Sequence, residues 1–184
     1  MQALDDQQLV ELIRAGNDAA FNEILRRYQR PVVNFVYRLL GDTAEADDVA
    51  QEVFVRVYQH LDRYAPRGRF TTWLFALARN ASIDRLRWRR RHPTEPLESS
   101  PALAAPAGAG AAEQASAREV GELVAAAVAR LPEDQQTAFV LSEYHDWPVA
   151  EIAQLMRCSE KSVESRIYRA KQSLRPSLRF LMER

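Results

Sequence analysis

The chain has 184 residues, enough for one or two compact domains that each bury an apolar core. No apolar run approaches the roughly 20 residues of a membrane helix, and Met1 to Val10 lacks the basic-then-apolar pattern of a signal peptide, so membrane insertion is not expected. The 25 basic and 25 acidic residues balance. That argues against a nucleic-acid partner only until their distribution is read. Arg79, Arg85, Arg87, Arg89, Arg90 and Arg91 stand together against Asp84 alone, and a second basic stretch runs from Lys161 to Arg184. Asp42, Glu45, Asp47, Asp48 and Glu52 form an acidic stretch without a base. Such separation predicts more than one kind of partner, although each stretch taken alone also fits a solvated helix face. A single cysteine, Cys158, excludes an internal disulfide and suits a reducing cytoplasm. Three scattered histidines give no metal-site spacing, and no cofactor is expected.

Helical periodicity dominates the chain, and strand alternation is not found. Asp5 or Asp6 caps a first helix bearing Leu9, Leu12 and Ile13, ending near Gly16. Asn17 caps a second with Phe21, Ile24, Leu25 and Tyr28 on one face. Pro31 suits the first turn of a third helix, which carries Val32, Phe35, Val36, Leu39 and Leu40 up to Gly41. Asp42 followed by Glu45 reads as a capping box for a helix whose stripe is Ala46, Val49, Ala50, Val53, Val57, Tyr58 and Leu61. Pro66 and Gly68 break the pattern between Arg63 and Phe70, which is read as a loop. Thr71 or Thr72 then opens a helix with Trp73, Leu74, Leu77, Ala78 and Ala81 that ends in the arginine run.

Residues 93–117 are rich in Ala, Pro, Gly and Ser and hold no Lys or Arg, the composition of a flexible linker. Helical periodicity resumes near Arg118, and Pro132 starts a helix bearing Phe139, Val140 and Leu141. The fold class is all-α: two small helical domains, 1–92 and 118–184, joined by the linker 93–117.

Pro148 to Arg175 fits a helix-turn-helix, with a plain helical hairpin as the alternative. Ile152, Ala153 and Met156 face inward, Cys158 fills the turn, Ser159 or Ser162 caps the second helix, and Val163 and Ile167 bury it. Glu164, Ser165, Arg166, Tyr168, Arg169 and Lys171 point outward, where a helix in the major groove meets bases and phosphates. Arg157 occupies the turn position that usually wants glycine, at a cost of about 1 kcal/mol. The chain stops soon after this helix, so no added regulatory domain is expected.

Leu131-Pro132, Phe139, Glu151-Ile152-Ala153, the run Ser162 to Lys171 and Leu174-Arg175 resemble region 4 of extracytoplasmic-function sigma factors. Asp47 to Phe54, Phe70 to Leu74, Ala78-Arg79-Asn80 and Asp84 to Arg87 resemble region 2 of the same family. The two resemblances stand in the family's order on either side of the linker. They imply a transcription initiation factor, not an enzyme, that binds bacterial core RNA polymerase and directs it to promoters. By that likeness Asp48, Gln51 and Glu52 dock on the polymerase. Arg63, Tyr64, Phe70, Asn80, Arg87 and Arg90 meet the −10 element, where a base of the melted non-template strand is captured. Glu164, Ser165, Arg166, Arg169 and Lys171 meet the duplex −35 element. Glu164 departs from the family's usual Lys, Arg or Gly, so no relative's −35 preference is transferred. The likeness also implies an anti-sigma factor as a further partner. Two rival readings are a stand-alone regulator using the same helix-turn-helix, which predicts tight duplex binding without polymerase, and a helical adaptor, which predicts no association with polymerase.

Overall fold

The computed structural model describes residues 4–61, 64, 68–92, 121 and 123–182, with side chains to Pro176 apart from that of residue 122. Arg63, Pro66, the 93–117 linker and Arg118 lie outside the described residues, so the readings made of them are not addressed. All regular structure among the described residues is helical: α1 (Asp6–Arg14), α2 (Asp18–Leu40), α3 (Thr43–His60), α4 (Phe70–Arg91), α5 (123–129), α6 (Glu133–His145), α7 (Val149–Met156) and α8 (Glu160–Met182).

The starts of the first three helices follow side-chain chemistry. Asp5 and Gln8 form a reciprocal capping box at α1, Asn17 accepts from the Ala20 amide at α2, and Asp42 accepts from the Glu45 amide at 2.9 Å at α3. The box expected at Asp42 is only half formed, because the Glu45 carboxylate turns instead to Arg89. The expected helix break at Pro31 is also corrected. Residues 18–40 make one helix, with Pro31 inside it. An interior proline costs about 3 kcal/mol. Here Ile24, Val32, Phe35, Val36 and Leu39 are all buried on one continuous face, and that packing outweighs the local cost. Gly41, at φ +73°, ends α2 and donates to Tyr37.

Helix α4 begins at Phe70, not at Thr71 or Thr72, with Arg69 as a cap that makes no side-chain hydrogen bond. Tyr58 leaves the predicted apolar stripe: it is 55 % exposed and rests edge-on against Phe21. In the second half, Ile152, Ala153 and Leu155 of α7 pack against Val163, Ala170 and Leu174 of α8. The turn between them is the tight one foreseen. Arg157 is left-handed (φ 53°, ψ 48°), and the Cys158 amide reaches back to the Ala153 carbonyl. Ser159, not Ser162, supplies the cap, accepting from the Ser162 amide at 3.3 Å.

The two halves share a contact that the sequence reading did not foresee. Phe75 of α4 packs on His145 and Trp147, Phe35 of α2 also meets His145, and the Gln136 side chain donates to the Leu39 carbonyl. Burial pushes His145 down to about 4, with nearby Arg38 acting in the same direction and Asp146 against it.

Candidate nucleic-acid interface

Four surfaces carry the residues singled out in the sequence. On α3, Asp48, Gln51 and Glu52 are exposed, while Val49, Ala50, Val53 and Val57 are buried behind them. The 3.6-residue period puts the acidic and amide groups on the solvent side of the same helix. Glu52 also pairs with Arg56 one turn on. Beside this face, α2 and α3 enclose a groove of about 590 Å³ lined by Phe21, Leu25, Val33, Phe54, Val55 and Gln51.

On α4, Asn80, Arg87 and Arg90 are exposed along one side of the helix. The arginine run is not uniform. Arg89 is drawn inward to Glu45 and the Leu40 carbonyl, so it braces α4 against α2 and α3. Arg79 reaches Asp134 at 2.7 Å, and Arg87 and Arg90 reach Glu133 at 3.6 and 3.1 Å. These carboxylates belong to the first turn of α6, where acidic groups also suit the helix dipole.

At the start of α4 the aromatic side chains turn inward. Tyr64 and Phe70 are not free stacking platforms: they are 5 % and 3 % exposed. With Trp73 and Tyr28 they form an aromatic cluster with ring centroids 5.3–5.9 Å apart. The Tyr64 hydroxyl donates to the Gly68 carbonyl at 2.8 Å and so holds the loop end against the helix. The Tyr28 hydroxyl lies 2.5 Å from an Asp6 carboxylate oxygen, and burial with that carboxylate raises its pKa. Burial likewise raises that of Tyr64. Next to the cluster lies a cavity of about 800 Å³ bordered by Asp6, Tyr64, Arg69, Thr71, Glu151 and Gln154. Arg69 and Glu151 close across it at 2.6 Å.

On α8, Glu164, Ser165, Tyr168 and Arg169 are exposed as expected. Lys171 is exposed but paired with Glu143 at 2.9 Å. Arg166 is the exception. It turns toward the domain contact, pairing with Asp134 at 2.9 Å and donating to the Cys158 sulfur at 3.0 Å. Sequence reasoning missed Glu133, Asp134 and Glu151 as partners of these arginines. Its one available signal was the acidic start of α6 standing opposite the basic end of α4. No helix among the described residues is long and apolar enough to cross a membrane.

A helix-turn-helix beside a helical bundle with exposed arginines is an arrangement suited to reading DNA. Comparison makes this specific. Residues 24–92 match Sigma-70 region 2, and residues 121–174 match Sigma-70, region 4. The RNA polymerase sigma-H factor of Pseudomonas aeruginosa is 33% identical over 187 residues, covering 96% of this chain and 95% of the relative. The ECF RNA polymerase sigma-E factor of Escherichia coli K12 is 32% identical over 191 residues, covering 100% of this chain and 99% of the relative. The solved structure of CnrH in complex with the cytosolic domain of CnrY is similar with a TM-score of 0.70 at 25% identity, covering 94% of this chain and 96% of CnrH. The chain belongs to the extracytoplasmic-function group of the sigma-70 family of RNA polymerase sigma factors. As a sigma factor it is a non-catalytic initiation factor that directs RNA polymerase to promoters, with region 2 serving the −10 element and region 4 the −35 element.

Proposed function

We propose that residues 1–92 dock on core polymerase and hold melted −10 DNA, that residues 118–184 grip the −35 duplex, and that 93–117 spans the distance between them. The observation that carries this reading is the division of labour on adjacent helices. Asp48, Gln51 and Glu52 offer carboxylates and an amide to a basic partner helix. Asn80, Arg87 and Arg90 offer an amide and cations to a nucleic acid. Asn80 both donates and accepts at a base edge, while Arg87 and Arg90 neutralise phosphates, which makes affinity depend on salt.

Tyr64 and Phe70 act in this reading as the buried support that shapes the base cavity. Arg69 and Thr71 at its border are the polar groups available to an extruded base. In region 4, Ser165 and Arg169 meet base edges, Glu164 accepts from a cytosine amino group, and Lys171 anchors phosphate. Arg166 joins them once it leaves Asp134. The protein works in the cytoplasm, where polymerase and promoter DNA are found. An anti-sigma factor covering the α2–α3 surface is the expected negative regulator, since RpoE of Bartonella quintana was solved in complex with the anti-sigma factor NepR.

Run-off transcription with purified core enzyme over a promoter library tests the reading. The chain is expected to support specific initiation, and Asn80→Ala to reduce permanganate-detected strand opening more than duplex binding. Equal loss in both assays, or no initiation at any promoter, overturns it.

A further inference from the structure

Past Asn80, the exposed side of α4 carries an aromatic feature that the promoter-reading assignment leaves unused. Asp84, Trp88 and Arg91 follow Asn80 at steps of four, four and three residues, which places all four on one flank of the helix. Trp88 is 47 % exposed, a large apolar surface held in water. Its indole is stacked on the His92 imidazole, with ring centroids 4.8 Å apart and 21° between the planes. The end of α4 fixes that stack. The His92 amide donates to the Trp88 carbonyl at 3.0 Å, and His92 Nδ1 lies 3.1 Å from the same oxygen. The surroundings are cationic: Arg87, Arg90 and Arg91, with Asp84, border a cavity of about 610 Å³ beside the stack. Arg87 and Arg90 reach Glu133, whereas Arg91 pairs with no carboxylate among the described residues.

We propose that Trp88, stiffened by His92 and collared by Arg87 and Arg91, is a stacking site for the base left without a neighbour at the upstream junction of the melted −10 segment. This role rests on the promoter-reading assignment above and extends it by one residue. Charge favours nucleic acid as the occupant: an aromatic face set among cations matches a base flanked by phosphates and repels a basic protein helix. Spacing agrees. Trp88 stands eight residues beyond Asn80, about 12 Å along the axis, which spans between three and four base steps of about 3.4 Å. Direction agrees as well. The chain runs from the end of α4 through 93–117 to region 4, which serves the −35 element, so the end of α4 belongs on the upstream side. Opening the duplex takes one stacking neighbour from the junction base, and the indole replaces it. Every base has a π face, so Trp88 favours opening without fixing sequence, while Asn80 supplies a base-edge contact.

The test uses the full chain bound to core polymerase and a promoter recovered in the run-off assay. Affinity is measured for a blunt duplex probe and for a fork probe that is duplex upstream and single-stranded through the −10 segment. Trp88→Ala is expected to weaken binding to the fork about tenfold and to the blunt duplex less than about twofold. Trp88→Phe, which keeps an aromatic face, is expected to restore the fork to within about threefold of the parent. In the parent complex, 2-aminopurine placed at the junction is expected to be quenched by stacking, and Trp88→Ala to relieve the quenching. Equal losses on the two probes, no loss on the fork, or a phenylalanine variant as weak as the alanine one overturn the stacking site. Loss of affinity for core polymerase itself in Trp88→Ala would make this face a protein contact and overturn it too. A chain that initiates, and opens less with Asn80→Ala, but is indifferent to Trp88→Ala loses only the stacking site. A chain that never initiates loses the promoter-reading assignment itself.

Discussion

The Gln136 side-chain amide, 2 % exposed, donates to the Leu39 carbonyl at 2.9 Å and to the Arg38 carbonyl at 3.2 Å. A helix end leaves carbonyls without intrahelical partners, and those of Arg38 and Leu39 at the end of α2 are met here by a residue of region 4. The contact therefore completes one domain with a group from the other. Gln136→Ala strands the buried Leu39 carbonyl and the partly buried one of Arg38, and an unmet buried group costs about 1–3 kcal/mol. Urea denaturation is expected to show a loss of about 1–3 kcal/mol, together with a larger radius in small-angle scattering as the halves separate. An unchanged denaturation midpoint would mean that water replaces the amide without cost.

Much of this arrangement is legible in the sequence because it depends on local chemistry. The caps at Asn17 and Asp42 and the buried Ile152, Ala153 and Val163 follow from residue type and period, while the left-handed Arg157 follows from its place in the turn and the choice of Asp5 over Asp6 needs the fold. The exposed triad Asp48, Gln51 and Glu52 follows in the same way. What depends on distant partners does not. Pro31 reads as a boundary because its helix is kept whole by packing from α3 and α4. Arg89 reads as one more cation of the basic stretch and Arg166 as DNA-facing, yet Glu45 and Asp134 draw them inward, and only the fold brings those carboxylates near. Tyr64 and Phe70 read as residues that meet the −10 element, since an aromatic residue beside a loop looks alike whether it stacks on a base or on another ring.

Removing charge from the α3 face tests docking apart from folding. Asp48→Ala with Glu52→Ala leaves the buried side of α3 untouched. Each exposed pair with a basic partner is worth about 0.5–1 kcal/mol, so losing two is expected to raise the Kd for core polymerase about five- to thirtyfold, with a weaker dependence on salt. Thermal stability should stay within about 0.5 kcal/mol of the parent. A stable variant with unchanged affinity would move docking to another surface.

Arg157 stores a small strain that can be removed. Its φ of 53° is one that glycine adopts freely and other residues adopt at a cost of about 1 kcal/mol. Arg157→Gly raises the entropy of the unfolded chain, which returns part of that gain. The net expectation is a stabilisation of up to about 1 kcal/mol in the denaturation midpoint, with the α7–α8 angle preserved. Destabilisation would assign Arg157 a stabilising contact that outweighs its backbone cost.

The pH dependence of stability should carry the signature of His145. Burial against Phe35 and Phe75 holds the folded imidazole at about 4, whereas its ordinary value is 6.5. The unfolded chain therefore binds this proton first, and protons bound only by the unfolded state favour unfolding. The stabilising effect is complete above the ordinary value and is lost as the pH falls from there toward 4. A carboxylate contributes lower on the scale: hydrogen bonds from Arg26 and Arg27 hold Glu23 at about 2 against its ordinary 4.5, so its contribution fades between those values. Between about pH 7.5 and pH 5 the imidazole accounts for a predicted loss of about 1–2 kcal/mol, read from urea midpoints. His145→Gln, which cannot take up the proton, is expected to flatten the profile in that interval while leaving the more acidic limb in place. A profile equally steep in the variant would mean that another group titrates there. Because His145 joins the two halves, its protonation should also widen the molecule in scattering before the helices melt.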